Sequence, residues 1–246
     1  MKKALAVLLF IPLSFLLKAQ EKDYDTVAIM ILDRMSDVIG DLSSCSFTLH
    51  ASTDHIDTGN IITYFARNEV FMAGPDKMQV STWNEKGHRA FFYDDSILTY
   101  YSFDENNYAT INTPPTIVET MDSIHNAYDL DFPAADFFYP TFSDDLLNFA
   151  NTIDYLGLED VNGTECFHIV AKGQNMSIQI WVANNATTLP EKFVMNYTNP
   201  KSNTQRYEAS FSDWKLNPDL PDAMFDFLPP PKAAKVYLLP KNESPE

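Results

Sequence analysis

The sequence predicts a mainly β protein of the α+β class: a strongly curved antiparallel half-barrel with an N-terminal helix and a helical lid insert. About eleven segments alternate apolar with polar side chains or are rich in β-branched and aromatic residues, as strands are. Helical spacing of apolar residues is confined to residues 25–39 and 114–150. So many strands with so few helices bury one face only if the sheet curls, and the helices then cover its concave side.

The first nineteen residues have the layout of a secretory signal peptide. Lys2 and Lys3 precede an apolar run from Ala4 to Leu17, and Ala19 is a small residue suited to cleavage. The apolar run is shorter than the roughly 20 residues of a membrane-spanning helix. We therefore expect residues 1–19 to be removed, and the protein to be periplasmic or secreted rather than an integral membrane protein.

The first predicted element is a helix over residues 25–39. Asp25 can cap its start, and Gly40 can end it. Apolar residues recur at helical spacing, so the predicted inward face carries Val27, Met30, Ile31, Met35 and Val38.

A first group of strands follows this helix. We predict them over residues 44–51, 60–73, 76–83, 88–94, 97–103 and 107–112. Short polar linkers between them suit antiparallel neighbours. Alternation directs one set of side chains inward, namely Cys45, Phe47, Leu49, Ala51, Ile62, Tyr64, Ala66, Val70, Met72, Met78 and Val80.

The stretch AFFYDDSILTYYSFDENNYA, residues 90–109, is unusually aromatic. Both faces of its predicted hairpin are apolar, whereas an open sheet with one wet face would alternate more cleanly. Either face can therefore look into the half-barrel. The two alternatives are the face carrying Phe91, Tyr93, Tyr101 and Phe103 and the face carrying Phe92, Leu98 and Tyr100.

Residues 114–150 are predicted to form a mostly helical insert. Thr116 and Glu119 have the spacing of a capping box, and Ile117, Met121, Ile124 and Tyr128 then recur at helical spacing. Two shorter helical pieces follow over residues 133–139 and 143–150, the first opened by Pro133 and the second capped by Ser143.

A second group of strands is predicted over residues 152–159, 164–171, 176–183, 189–198 and 205–214. Prolines become frequent from Asn217 onward, which favours an extended segment packed at the edge of the sheet. We therefore expect residues 20–231 to form a single domain, followed by an extended tail over residues 232–246.

Composition and motifs argue against several function classes. A formal charge of −17 repels nucleic acid and anionic membrane surfaces. The five histidines do not have metal-ligand spacing, and we expect neither a metal nor a cofactor. Cys45 and Cys166 are either bridged or buried as thiols. The carboxylates suit turns and helix starts better than a catalytic pair; the candidates are Asp94, Asp95, Asp129, Asp131, Asp136, Asp144 and Asp145.

Several motifs resemble a known fold and family. The ending FSDWKLNPDLPDAMFDFLPPP, residues 211–231, resembles the last strand and closing segment of the periplasmic lipoprotein-carrier fold, the LolA/LolB/LppX type. The stretches AIMILDRMSDVI, FFYDDSILTYYSFDENNYAT, FPAADFFY and ECFHIVAK are similar to those of a family of predicted periplasmic proteins of unknown function with this LolA-like fold. Asp95 stands where that family tends to have glycine. The resemblance implies a lidded cavity that holds acyl chains.

The leading hypothesis is accordingly a periplasmic non-catalytic binding protein for a lipid, lipoprotein or other acyl-chain-like ligand. Candidate cavity residues are Phe47, Leu49, Tyr64, Met72, Met78, Val80, Phe193, Met195, Tyr207 and Phe211. Candidate lid residues are Met30, Met35, Ile117, Met121 and Ile124. Apolar alternation alone does not separate pocket from filled core. The alternatives are an envelope sensor or protein-interaction module and, ranked last, a hydrolase that uses paired carboxylates.

Overall fold

One large sheet dominates the molecule. The computed structural model describes residues 22–128, 130, 132–199 and 203–241, and the predicted signal peptide lies outside them. In the described part of the chain, thirteen strands form a single curved sheet that does not close on itself. Neighbouring strands are antiparallel, apart from a short parallel pair at each edge. The predicted α+β half-barrel is confirmed.

The first half of the sheet follows chain order. Its strands are β2 (Ser44–Asp57), β3 (Asn60–Ala73), β4 (Lys77–Asn84), β5 (Gly87–Asp94), β6 (Ile97–Ser102) and β7 (Asn107–Asn112). β2 is longer than predicted, because it pairs with β3 from Ser44 opposite Ala73 to Asp57 opposite Asn60. Backbone pairing continues past the point where apolar alternation ends.

The second half joins the first through the pairing of its last strand with β2. Its strands are β8 (Thr152–Val161), β9 (Thr164–Lys172), β10 (Met176–Ala183), β11 (Pro190–Tyr197) and β12 (Thr204–Leu216). Phe211 on β12 lies opposite Leu49 on β2. β1 (Asp23–Tyr24) pairs with β8 at one edge, and β13 (Ala234–Lys235) pairs with β7 at the other.

Helix α1 (Thr26–Gly40) packs on the concave face with a stripe that differs from the predicted one. The carboxylate of Asp25 accepts a hydrogen bond from the Val27 amide, which confirms the predicted cap. The buried residues are Ala28, Ile31, Leu32, Met35 and Ile39. The predicted inward orientation of Met30 and Val27 is wrong: they are 67% and 48% exposed. The buried set, spaced by three and four residues, forms a straighter stripe along the helix.

The insert contains helix α2 (Ile117–Tyr128), a 3₁₀ turn (Ala135–Phe138) and helix α3 (Phe142–Phe149). The Thr116 hydroxyl accepts from the Glu119 amide and donates to the Glu119 carboxylate, so the capping pair is confirmed. Ser143 lies inside α3 and is not its cap. Thr141 precedes the helix, and its hydroxyl donates to the carboxylate of Asp145 at 2.6 Å.

The register of the aromatic hairpin differs from both predicted alternatives. Asp94 lies opposite Ile97, so a two-residue turn joins β5 to β6. Opposite residues share a face, and the turn thus places Phe91 and Tyr93 beside Tyr100 and Leu98 on the concave side. Phe92, Tyr101 and Phe103 lie on the convex side. At the turn itself, Asp95 adopts a φ of 58°, the left-handed conformation that favours glycine.

The segment after β12 covers the convex side of this hairpin. Phe225 is buried, and the ring of Phe227 lies 5.3–5.4 Å from the rings of Phe92, Tyr101 and Tyr108. The chain then pairs with β7, and the Lys241 amide donates to the carbonyl of Ala127 in α2 at 2.8 Å. This segment therefore covers one part of the aromatic stretch, while the concave core covers the rest.

Candidate ligand-binding cavity

A cavity of about 470 Å³ lies between the helical insert and the second half of the sheet. Its floor is the concave face of β10 and β11, and its roof is formed by α2, the 3₁₀ turn and α3. The lining residues are Met121, Asp122, His125, Leu130, Phe132, Ala135, Asp136, Phe137, Tyr139, Phe142, Asp145, Leu146, Phe149, Met176, Ile178, Ile180, Phe193 and Met195.

The floor follows from strand alternation and register. Ile178 and Ile180 are two residues apart on β10 and therefore point to the same face. They lie opposite Met195 and Phe193 on β11, so four apolar side chains form one continuous patch.

Aromatic rings make up much of the roof and connect it to the floor. The Phe137 ring stacks on Phe142 at 4.9 Å between centroids and contacts Phe193 at 5.1 Å. Phe132 and Phe149 extend the same apolar wall. These contacts pack the insert against the sheet.

Polar residues gather at the mouth of the cavity. Asp122, His125, Asp136 and Asp145 all line it and are all exposed. The Tyr139 hydroxyl donates to Oδ1 of Asp122 at 2.8 Å, which ties the chain after the 3₁₀ turn to α2. The site thus combines an apolar interior with a polar, acidic rim.

Three of the predicted residues line this cavity. Phe193 and Met195 belong to the floor, and Met121 belongs to the roof. The Tyr207 ring packs 5.5 Å from Phe193, and burial raises the pKa of Tyr207 to about 12, so this phenol stays neutral at physiological pH.

Most of the other predicted residues fill the neighbouring part of the concave side as solid core. This buried group comprises Phe47, Leu49, Met72, Met78, Val80 and Phe211 from the strands and Met35, Ile117 and Ile124 from the helices. The concave side is therefore hollow under the insert near β10 and β11, and filled near β2 to β4.

Two predicted residues lie elsewhere. Met30 faces solvent on α1. Tyr64 is 36% exposed and lines a separate surface cleft near the β2–β3 hairpin, together with Phe65 and Ile56. Neither residue lines the cavity under the insert.

Sequence reasoning missed the residues that complete the cavity. Met176, Ile178 and Ile180 alternate on a predicted strand, and this pattern could have identified them. The roof residues Phe132, Phe137, Phe142, Leu146 and Phe149 come from short helical pieces, where apolar spacing does not reveal which neighbour each side chain meets.

The two cysteines are separate buried thiols. Cys45 belongs to the concave core, whereas Cys166 packs against Trp181 and Val194 on the other face of the sheet. Burial raises the pKa of Cys45 to about 12 and that of Cys166 to about 11. Each thiol is thus protonated and weakly nucleophilic at neutral pH.

Within the described residues 22–128, 130, 132–199 and 203–241, no group of three His, Cys, Asp or Glu side chains has the geometry of a metal site. No helix in the same ranges is long and apolar enough to cross a membrane. Two of the carboxylates considered for catalysis, Asp129 and Asp131, lie outside them.

No curated protein matches the sequence. Among solved structures, the chain is similar to an uncharacterized conserved protein from Thermus thermophilus, with 13% identity, coverage of 86% of this chain and 99% of that one, and a TM-score of 0.47. It is also similar to LprF from Mycobacterium bovis, with 10% identity, coverage of 79% and 97%, and a TM-score of 0.46. The lipoprotein LppX from Mycobacterium tuberculosis shows 11% identity, coverage of 80% and 98%, and a TM-score of 0.45.

A family model described as "Predicted periplasmic protein (DUF2092)" matches residues 28–239. The match begins within α1 and extends beyond β13, so it includes the insert and the cavity. The predicted membership of a periplasmic family is confirmed, and the periplasmic location agrees with that family's description. The chain belongs to the DUF2092 family of predicted periplasmic proteins.

Proposed function

We propose that this periplasmic protein is a non-catalytic binding protein that holds a lipid-like or acyl-chain-like ligand beneath its helical insert. The observation that carries this proposal is the cavity of about 470 Å³ between the insert and β10–β11. A volume of this size falls within the range of roughly 300–1,000 Å³ that is usual for small-molecule sites.

The chemistry of the lining supports an apolar ligand. The floor is formed by Ile178, Ile180, Phe193 and Met195, and the roof adds several phenylalanines. An apolar chain placed there would lose its contact with water and would gain about 25 cal/mol for each Å² of apolar surface buried. The polar rim would leave one end of the ligand at the surface.

The test places the same bulky residue inside and outside the cavity. Met195→Trp would fill the floor, whereas Met30→Trp would change only the solvent face of α1. We expect the wild type and Met30→Trp to bind a fluorescent fatty-acyl probe, and Met195→Trp to bind it at least about tenfold more weakly, because the site's volume is reduced.

Native mass spectrometry of the gently purified protein gives an independent readout. A co-purified lipid in the wild type, lost in Met195→Trp, would support the proposal. Equal probe binding by the two tryptophan variants would show that the cavity is not the binding site.

A second candidate function, a sensor or interaction module, is favoured by one exposed surface. The tip of the β2–β3 hairpin exposes Ile56, Ile61, Ile62 and Phe65, and Phe65 is 70% exposed. Apolar clusters of this kind mark interaction surfaces. The aromatic 88–112 region is a weaker candidate for this role, because the segment containing Phe227 covers much of it.

This second function can be separated from ligand binding by experiment. Phe65→Ser removes apolar surface without touching the cavity. Crosslinking in intact cells should capture an envelope protein with the wild type and much less of it with Phe65→Ser. If the same crosslinks form with both proteins, the hairpin tip is not the contact.

A further inference from the structure

We propose that the cavity selects an amphiphile with a positively charged polar end over one with the same chain and an anionic end. This inference rests on the proposed function, because it describes the ligand of the same site. It follows from the distribution of charge around the mouth of the cavity.

Three carboxylates and one histidine surround the mouth. Asp122 lies on α2, Asp136 lies in the 3₁₀ turn and Asp145 lies in the first turn of α3, so each part of the roof contributes one acid. His125 is the one residue that can carry a positive charge among the described residues lining the cavity. At neutral pH the rim is therefore strongly acidic.

Hydrogen bonds fix two of these carboxylates. Asp122 accepts from the Tyr139 hydroxyl, and Asp145 accepts from the Thr141 hydroxyl. Because both donors belong to the insert itself, the carboxylates keep their place relative to the mouth. A charged group held in position loses less side-chain entropy when it meets a ligand.

The position of Lys22 beside α3 agrees with a preference of the cavity for a cationic amphiphile. The ammonium of Lys22 donates to the main-chain carbonyls of Leu147 and Asn148 near the end of α3. It lies outside the cavity lining. An amphiphile that enters chain first would place its head among carboxylates, where a cation is attracted and a carboxylate or phosphate is repelled.

The exposure of the rim limits the size of the effect. Asp122, Asp136 and Asp145 are in contact with water, so solvent and salt screen their fields. We expect a preference of about tenfold at low ionic strength, which shrinks as salt is added.

The experiment compares three probes that share one ten-carbon alkyl chain: decyltrimethylammonium, decanol and undecanoate. Each is titrated by calorimetry below its solubility limit or micelle-forming concentration, at low and at high salt. For the wild type we expect the cationic probe to bind most tightly, decanol less tightly and undecanoate most weakly. Added salt should reduce the difference in affinity between the two charged probes and leave the affinity for decanol nearly unchanged.

Matched charge variants locate the effect. Asp136→Asn with Asp145→Asn removes two charges from the rim, whereas Asp33→Asn with Asp37→Asn removes two charges from the exposed face of α1. We expect the rim variant to lose most of the cationic preference, and a urea unfolding transition close to that of the wild type to show that it is folded. The α1 variant should behave like the wild type.

The outcomes distinguish this inference from the proposed function. If all three probes bind the wild type with equal affinity, charge selection is refuted, whereas ligand binding in the apolar cavity is supported. If the α1 variant loses the preference as fully as the rim variant, general surface charge is the cause and the inference falls. If decanol also fails to bind, the proposed function falls, and the selectivity falls with it.

Discussion

The ring of Phe149 lies directly against the backbone of Gly173, and a Cβ placed on that glycine would come within 2.5 Å of the ring atoms Cε2 and Cζ. Phe149 is part of the cavity wall. Gly173 lies in the turn between β9 and β10, and its amide donates to the carbonyl of Met176. The shape of the cavity therefore depends on the absence of a side chain outside it.

Replacing this glycine should deform the cavity. In Gly173→Ala, the new methyl group must displace the Phe149 ring, and overpacking of this kind costs about 1–3 kcal/mol. We expect a lower free energy of unfolding in urea and weaker binding of the fluorescent acyl probe. Gly40→Ala is the matched control, since a Cβ at Gly40 would meet nothing within 4 Å. A Gly173→Ala protein as stable as the wild type would contradict the close packing.

His88 should make stability depend on pH. Its ring is stacked between Trp83, at 4.3 Å, and Phe103, at 3.7 Å, and its Nε2 atom is buried without a hydrogen-bond partner. Burial lowers the pKa of His88 from its ordinary value of 6.5, and the charges of Asp104 and Glu69 oppose this change only in part. The folded state thus disfavours the protonated ring.

The lowered pKa of His88 makes the folded protein less stable as the pH falls. As the pH falls below 6.5, the unfolded chain takes up the His88 proton first, so stability is lost until the pH reaches the lower pKa of the folded state. His88→Phe keeps an aromatic ring in the stack but cannot be protonated. We expect its free energy of unfolding to fall less than that of the wild type between neutral pH and pH below 6.5. A His88→Phe protein whose stability falls as steeply with pH as that of the wild type would contradict this role of His88.

The segment after β12 should be a major source of stability. Phe227 contacts three aromatic residues of the convex face, whereas its neighbour Leu228 is 85% exposed. We expect Phe227→Ala to lower the free energy of unfolding by roughly 2 kcal/mol, from lost apolar burial and ring contacts. Leu228→Ala should have almost no effect. Equal losses in the two variants would show that the segment does not pack as described.

The buried thiols should resist alkylation until the protein unfolds. Both cysteines are buried with raised pKa values, so we expect iodoacetamide to modify neither in the folded protein and both in denaturant without reductant. Met30→Cys, at an exposed position on α1, provides a thiol that should react at once. Two cysteines that stay unmodified in denaturant until reductant is added would reveal a disulfide.

Much of the fold is predictable because strand alternation and helix capping are local. Cys45, Phe47 and Leu49 point inward as their alternation indicates, and Asp25 caps α1. The faces of the aromatic hairpin were not predictable in this way. Because a two-residue turn follows Asp94, the inward residues have odd numbers on β5 and even numbers on β6. The length of that turn decides which rings meet.

The cavity was only partly predictable, because a hollow depends on what stands above it. Phe47 and Phe193 both alternate inward, yet Phe47 is met by Phe138, Phe211 and Trp214, whereas Phe193 borders open volume. The same apolar pattern thus produces core in one place and cavity wall in another. What differs is the long-range arrangement of the insert, which is not encoded in strand periodicity.

The two short parallel strands at the edges have a consequence for assembly. β1 pairs only with the first two residues of β8, and β13 pairs only with the first two residues of β7. Exposed strand edges invite pairing between molecules, and each of these edges is covered at one end by a two-residue segment from far away in the chain. In the described part of the chain, residues 154–161 of β8 and 109–112 of β7 have no strand on their outer side. If two molecules associate by strand pairing, these residues are where we expect the contact to form.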